Sequence, residues 1–212
     1  MSEQTDHHGF ASRLAGGPQS VGAAFHSRCG GGTQPAVGAL NRYWCGDITY
    51  RCHHRRLAVS GRVPIGRMQD LFSRRVLGWA LSDTLETRLV EQAWQQAIRA
   101  RGFGSGQGPQ LYHSDRGRQY ASHLFQTVLA DSGTQSSMSG KGECYDHAVA
   151  ESFFGTYKAE LLADQPQRRF ASKAQAWALT ADSIDNFYNP VRRHSTLGNK
   201  SPVAFELAHQ VK

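Results

Sequence analysis

Asp47, Asp115 and Glu151 are acids set in stretches that otherwise read as apolar structure. Asp47 sits in "YWCGDITY", a strand-like run. Asp115 ends the short apolar run "LYHSD". Glu151 enters the helical stretch "AVAESFFGTYKAELL", with thirty-five residues between it and Asp115. A buried strand that stops on an aspartate presents that carboxylate to something. At about 100° per residue, Ala150, Phe154, Tyr157 and Leu161 share the core face of the third stretch, and Gly155 and Lys158 fall within about 40° of Glu151 on the flank of that face. A carboxylate at that rim, beside a residue with no side chain, suits holding a cation and admitting a phosphate backbone. Lys158 would serve the phosphate as a point charge. Each acid alone also has a plainer reading, as a cap or a solvated charge, and Asp115 before Arg116-Gly117 could simply open a turn.

The elements that must position these acids follow from pattern. Order is expected from about residue 41. "VLGWALSD" (76–83) reads as a buried strand, and Asp83 with Glu86 fits a capping box. The following helix gathers Leu85, Leu89, Val90, Ala93, Trp94, Ala97 and Ile98 on one face and ends in a glycine-rich loop, 102–108. Ser122 caps a short helix with Leu124, Phe125, Val128 and Leu129 inward, stopping near Gly133. "TQSSMS" reads as a strand, 172–188 as a last helix, and "NPVRRHSTLGNKSPVAFE" as a basic tail. Strands come first and then alternate with helices, which predicts a mixed α/β sheet flanked by helices. Residues 1–40, rich in Gly, Ser, Gln and His without period, read as a poorly ordered N-terminal segment.

The 212 residues suit one domain with appendages, and a formal charge of +7 with pI near 9.5 favours a polyanionic partner such as nucleic acid. No apolar stretch approaches membrane-spanning length, so a cytoplasmic protein without membrane contact is expected. Cys29, Cys45, Cys52 and Cys144 read as reduced thiols. Cys45, Cys52, His53 and His54 lack the paired spacing of a zinc site.

Jointly, "WCGDITY", "DLFSRRVLGWALSD", "HSDRGRQYAS", "SMSGKGECYDHAVAESFFGTYKAEL" and "FYNPVRRHSTLGNKSPVAFE" resemble the integrase-like (DDE, rve-type) catalytic core of bacterial insertion-sequence transposases. The resemblance runs from about 42 to 207, giving an expected integrase core with basic tail over 41–207. It implies a ribonuclease H-like fold and a metal-dependent strand cleavage and transfer reaction. Asp47, Asp115 and Glu151 match the family's ligands for two Mg2+ or Mn2+ ions. His113, Ser114, Arg116, Gln119, Lys158, Tyr188, Asn189, Arg192, Arg193 and His194 match its DNA-handling positions, and Leu197 completes the terminal signature. Homo-oligomers on DNA and a separate helix-turn-helix protein for end recognition are implied as partners. With no end-recognition region resembled here, weak non-specific DNA binding is expected of the chain alone.

Two departures qualify the resemblance. Glu143 and His147 stand where the family usually has asparagines. Residues 51–69, "RCHHRRLAVSGRVPIGRMQ", do not read as the family's apolar second strand, because Arg67 and Gln69 buried without partners would cost several kcal/mol. This predicts a segment, together with residues 1–40, read from a shifted frame in a decayed element. Two competing functions follow: a catalytically impaired remnant that only binds DNA, and a nuclease of the ribonuclease H type.

Overall fold

Alternation along β1 (Tyr43–Cys52) sends Trp44, Gly46 and Ile48 to one face of a sheet and Cys45, Asp47 and Thr49 to the other. This strand is the centre of the molecule. On one side it pairs antiparallel with β2 (Arg62–Asp70), which pairs antiparallel with β3 (Val76–Leu81). On the other it runs parallel to β4 (Leu111–Ser114), which runs parallel to β5 (Gln135–Met138). The order is β3-β2-β1-β4-β5. The computed structural model describes residues 39–52, 62–138, 148–161 and 170–210, except the side chains of 50–52, 62, 148–152, 158 and 210. These belong to one unit, Val37–Lys212. The expectation of poor order over residues 1–40 falls almost wholly outside them, as do Cys29, His53, His54, Glu143, Cys144 and His147.

Helices cover both faces. Over the first lie α1 (Thr87–Arg101) and α2 (His123–Asp131), where Leu89, Val90, Ala93, Trp94, Phe125 and Leu129 meet Trp44, Met68 and Tyr112. Over the second lie α3 (Ala148–Leu161) and a π-helical turn, Asp182–Tyr188, that continues α4 (Lys173–Ala181). Phe153, Phe154, Tyr157, Ile184 and Tyr188 there meet Ile65 and Trp79. Each large side chain so buried is worth about 1.5–3 kcal/mol. Gly78 allows a close backbone approach: a Cβ on it would lie 2.1 Å from the Ala93 carbonyl oxygen, so β3 and α1 touch backbone to backbone.

The chain ends in a 3-10 turn, Ser195–Leu197, and α5 (Pro202–Gln210), a helix that the reading of a basic tail missed. Its anchor is Glu206. That carboxylate accepts from Ser73 Oγ and Arg75 Nη1, each at 2.7 Å, and forms a bidentate pair with Arg101. Burial pushes the Glu206 carboxyl up, but hydrogen bonds from Arg101, Ser73 and Arg75 outweigh it and hold the group below its ordinary value.

Several expectations need correction. β2 is a strand and not an interruption. Val63, Ile65 and Met68 are buried, and the two polar residues that argued against it are paired. Arg67 Nη1 donates to Gln69 Oε1 at 2.6 Å, and Gln69 Nε2 donates to the Arg74 carbonyl at 2.6 Å and to the Tyr188 hydroxyl at 3.0 Å. These bonds offset part of the desolvation cost within 62–70, and residues 53–61 of the segment expected to come from a shifted frame lie outside the described residues. Asp83 does not cap α1: the helix starts after Glu86, which makes no side-chain cap, while Asp83 pairs with Lys173 Nζ at 2.6 Å. Leu85 and Leu124 are exposed, not inward. Ser122 does cap α2, accepting from the Phe125 N–H.

Two substitutions test this packing. Gly78→Ala should destabilise by about 1–3 kcal/mol in urea unfolding, because neither backbone can retreat. Glu206→Ala should cost about 3–5 kcal/mol by stranding buried Arg101. Because the folded pKa of Glu206 is depressed, its contribution is present above the ordinary Glu value of 4.5 and lost as pH falls below it. The gap between wild type and Glu206→Gln in unfolding free energy should therefore narrow on acidification below that value; an unchanged gap would contradict the network.

Candidate active site

The parallel pairing of β1 with β4 decides where two of the acids stand. Its register is Tyr43 with Leu111, Trp44 with Tyr112 and Cys45 with His113. Carried two residues further, Asp47 comes level with Asp115, one residue past the end of β4. Neighbouring strands lie about 4.8 Å apart, so the backbone sets these acids side by side. Both are half-buried. Both bear on the same two groups: burial pushes the Tyr112 and Tyr120 hydroxyls well up, and the charges of Asp47 and Asp115 each add to the rise.

Local bonds orient the two carboxylates. Asp47 Oδ1 accepts from the Ile48 N–H at 2.7 Å. Asp115 Oδ1 accepts from the Gly117 N–H at 2.8 Å, so the turn-opening reading of Asp115 holds as geometry. It competes with no other use, since a carboxylate has several acceptor sites. A Cβ at Gly117 would sit 2.8 Å from that Oδ1, which makes glycine the residue that lets the carboxylate fold back.

Glu151 comes from α3, which packs on β1. Phe153, Phe154 and Tyr157 bury that helix on the Asp47 face of the sheet, and Glu151 lies in its first turns. The side chains of Glu151 and Lys158 lie outside the described residues. Among the described residues no group of three His, Cys, Asp or Glu side chains is placed to hold a metal. Gly155, one turn on from Glu151, is exposed, with open space where a side chain would be.

Most of the positions expected to handle DNA are instead internal. His113 is 3% exposed, and its Nδ1 meets Ser137 Oγ on β5 at 3.2 Å. Ser114 is buried and donates to the Asp115 carbonyl. Gln119 donates to the Leu85 carbonyl at 3.2 Å. Asn189 both accepts from the Val76 N–H and donates to the Val76 carbonyl at 2.9 Å, the bonding a neighbouring strand would supply. Tyr188 is buried against Phe153 and accepts from Gln69. His194 packs its ring on Tyr188, and burial first, then Arg192 and Arg74, lower its pKa to about 4, so it is neutral at pH 7. His113, Ser114, Tyr188 and Asn189, which the resemblance matches to DNA-handling positions, are thus each engaged in contacts within the fold. Gln119 and His194 are likewise engaged inside the fold. Arg192 pairs with Glu160 of α3, while Arg116 and Arg193 are exposed.

Reading the sequence missed Arg67 as a component of this region. Its Cα is the register partner of Asp47 across the β1–β2 pair, and it is fully buried. The signal was present, since an arginine within a central strand has to be satisfied by something.

Comparison with known proteins bears on the family and the fold. Two family models, both described as integrase core domain, match residues 39–144 and 132–202. The transposase for insertion sequence element IS904 of Lactococcus lactis is 38% identical over 168 residues, covering 79% of this chain and 62% of that protein. The IS600 uncharacterized 31 kDa protein of Shigella sonnei is 35% identical, covering 82% and 60%. The InsF transposase of IS3fB from Escherichia coli is 36% identical, covering 78% and 54%. The chain thus spans roughly 54–62% of the length of these relatives. Among solved structures, the HTLV-2 integrase catalytic core domain in complex with magnesium superposes with a TM-score of 0.55 at 20% identity, covering 78% of this chain and 95% of that one. The BIV integrase catalytic core gives 0.54 at 18%, covering 81% and 97%. The fold is therefore the ribonuclease H-like sheet of integrase cores, and the chain belongs to the integrase core domain family, with similarity to proteins of insertion sequences.

Proposed function

We propose that this chain is the catalytic core of a DNA transposase, a polynucleotidyl transferase that cleaves DNA strands and joins 3′-hydroxyl ends to target DNA. The observation that carries this reading is the β1–β4 register, which sets Asp47 beside Asp115 on the sheet face where α3 brings in Glu151. The donor set suits hard divalent cations, two Mg2+ or Mn2+ ions held by Asp47, Asp115 and Glu151. All three are carboxylates, and the two whose side chains are described are half-exposed, so ions and substrate can reach them. When bound, the ions supply charge stabilisation at the attacking and leaving oxygens of a phosphodiester.

The chain's own residues do the rest. The Gly117 N–H fixes the orientation of Asp115. Gly155 leaves room beside Glu151 for a phosphate backbone. Exposed Arg116 and Arg193, with Lys158 and Arg192, contact phosphates; such contacts hold DNA in place and read no sequence. We assign catalysis to a homo-oligomer assembled on DNA, in the cytoplasm, and end recognition to a separate helix-turn-helix protein. No described helix is long and apolar enough to cross a membrane. The impaired-remnant alternative drew its support from a broken second strand, and β2 is continuous over Arg62–Asp70.

The test is strand transfer by purified protein on DNA carrying the element's ends, with and without Mn2+ or Mg2+. Asp47→Asn, Asp115→Asn and Glu151→Gln should each lower the metal-dependent rate by about a hundredfold or more while leaving the melting temperature within a few degrees. Activity that survives all three substitutions would exclude these acids as the ligand set.

A further inference from the structure

Arg67 is the largest feature of the site that the proposed mechanism leaves unused. It is fully buried in the central strand β2, directly opposite Asp47 in an antiparallel register, so both side chains leave the same face of the sheet. Its guanidinium carbon lies 4.4 Å from the ring centre of Phe153 and 5.3 Å from that of Phe154. Both rings belong to the helix that carries Glu151. Arg67 Nη1 is held by Gln69, and Gln69 in turn by the Arg74 carbonyl and the Tyr188 hydroxyl. One permanent charge thus connects the strand of Asp47 with the helix of Glu151.

We propose that Arg67 is a positioning residue that serves as a resident counter-cation to the carboxylate site, steadying β1 and α3 against one another when no metal is bound and weakening the site's affinity for divalent cations. This rests on the assignment of Asp47, Asp115 and Glu151 as metal ligands. The physical reason is plain. Three carboxylates drawn together repel, and a fixed positive charge beside them offsets that repulsion. The same charge opposes an arriving divalent ion, and in a partly buried region such an opposition is screened far less than in water. An apolar residue at 67 would leave the ion unopposed but would leave the empty site strained.

Mn2+ binding, followed by the loss of free Mn2+ signal in electron paramagnetic resonance, separates the possibilities. Arg67→Met keeps the stem over Phe153 and removes the charge; Arg67→Leu is a second neutral variant, and whichever keeps the wild-type circular dichroism is read. Arg67→Lys keeps the charge. Asp115→Asn defines which binding belongs to the site. The expected result is that a neutral variant binds Mn2+ at least fivefold more tightly than wild type, melts lower without metal, and gains more in melting temperature on adding Mn2+, while Arg67→Lys stays within twofold of wild type. Unchanged or weaker Mn2+ binding in a folded neutral variant, with Asp115-dependent binding intact in wild type, overturns the role of Arg67 alone. Mn2+ binding that is insensitive to Asp115→Asn in every protein overturns the ligand assignment and, with it, this inference.

Discussion

The pairing of β1 with β4 is the constraint on which the rest of the structure depends. A parallel neighbour in this register brings residue 47 level with residue 115. Parallel pairing requires a long crossover, and here β2, β3 and α1 supply it before the chain returns at Leu111. The antiparallel part of the sheet is thus the route by which the chain comes back beside its first strand. The packing of α1 on Gly78 matters for the same reason, because it fixes the path of that return.

The second constraint is the covering of the opposite face. α3 is held on β1 by aromatic side chains, and Phe153, Phe154 and Tyr157 engage Tyr188 and one another through edge-to-face and stacked contacts. The C-terminal signature then serves this face more than it serves a surface. Asn189 ties off the edge of Val76, Tyr188 closes on Phe153, and His194 rests on Tyr188. The π-helical turn Asp182–Tyr188 delivers Tyr188 and Asn189 to those places. Such turns recur near functional sites, and here the turn acts by supporting the helix that carries Glu151.

Much of this could be read in the sequence where one face of an element is apolar. The strands at 43–52, 76–81 and 111–114, the Ser122 cap and the core face of α3 all follow from period and capping chemistry. What could not be read depended on partners distant in sequence. β2 looked wrong because Arg67 and Gln69 were judged alone; the groups that satisfy them sit on α3, Arg74 and Tyr188. Asp83 had the spacing of a cap but found Lys173. α5 was hidden because its anchor, Glu206, is satisfied by residues about 105 to 133 positions earlier. For the site, residue type pointed to Asp47 and Asp115, whereas the burial of the residues beside them was not legible, because motif membership carries no information about burial.

Strand transfer by this chain, as proposed, requires three acids from separate elements to share one pocket for hard cations. The most direct measurement is anomalous diffraction from crystals of the protein soaked in manganese. A manganese peak is expected within direct coordination distance of carboxylate oxygens from both Asp47 and Asp115, with Glu151 turned toward it from α3. Manganese bound elsewhere only, or these carboxylates facing apart with no shared ion, would contradict it.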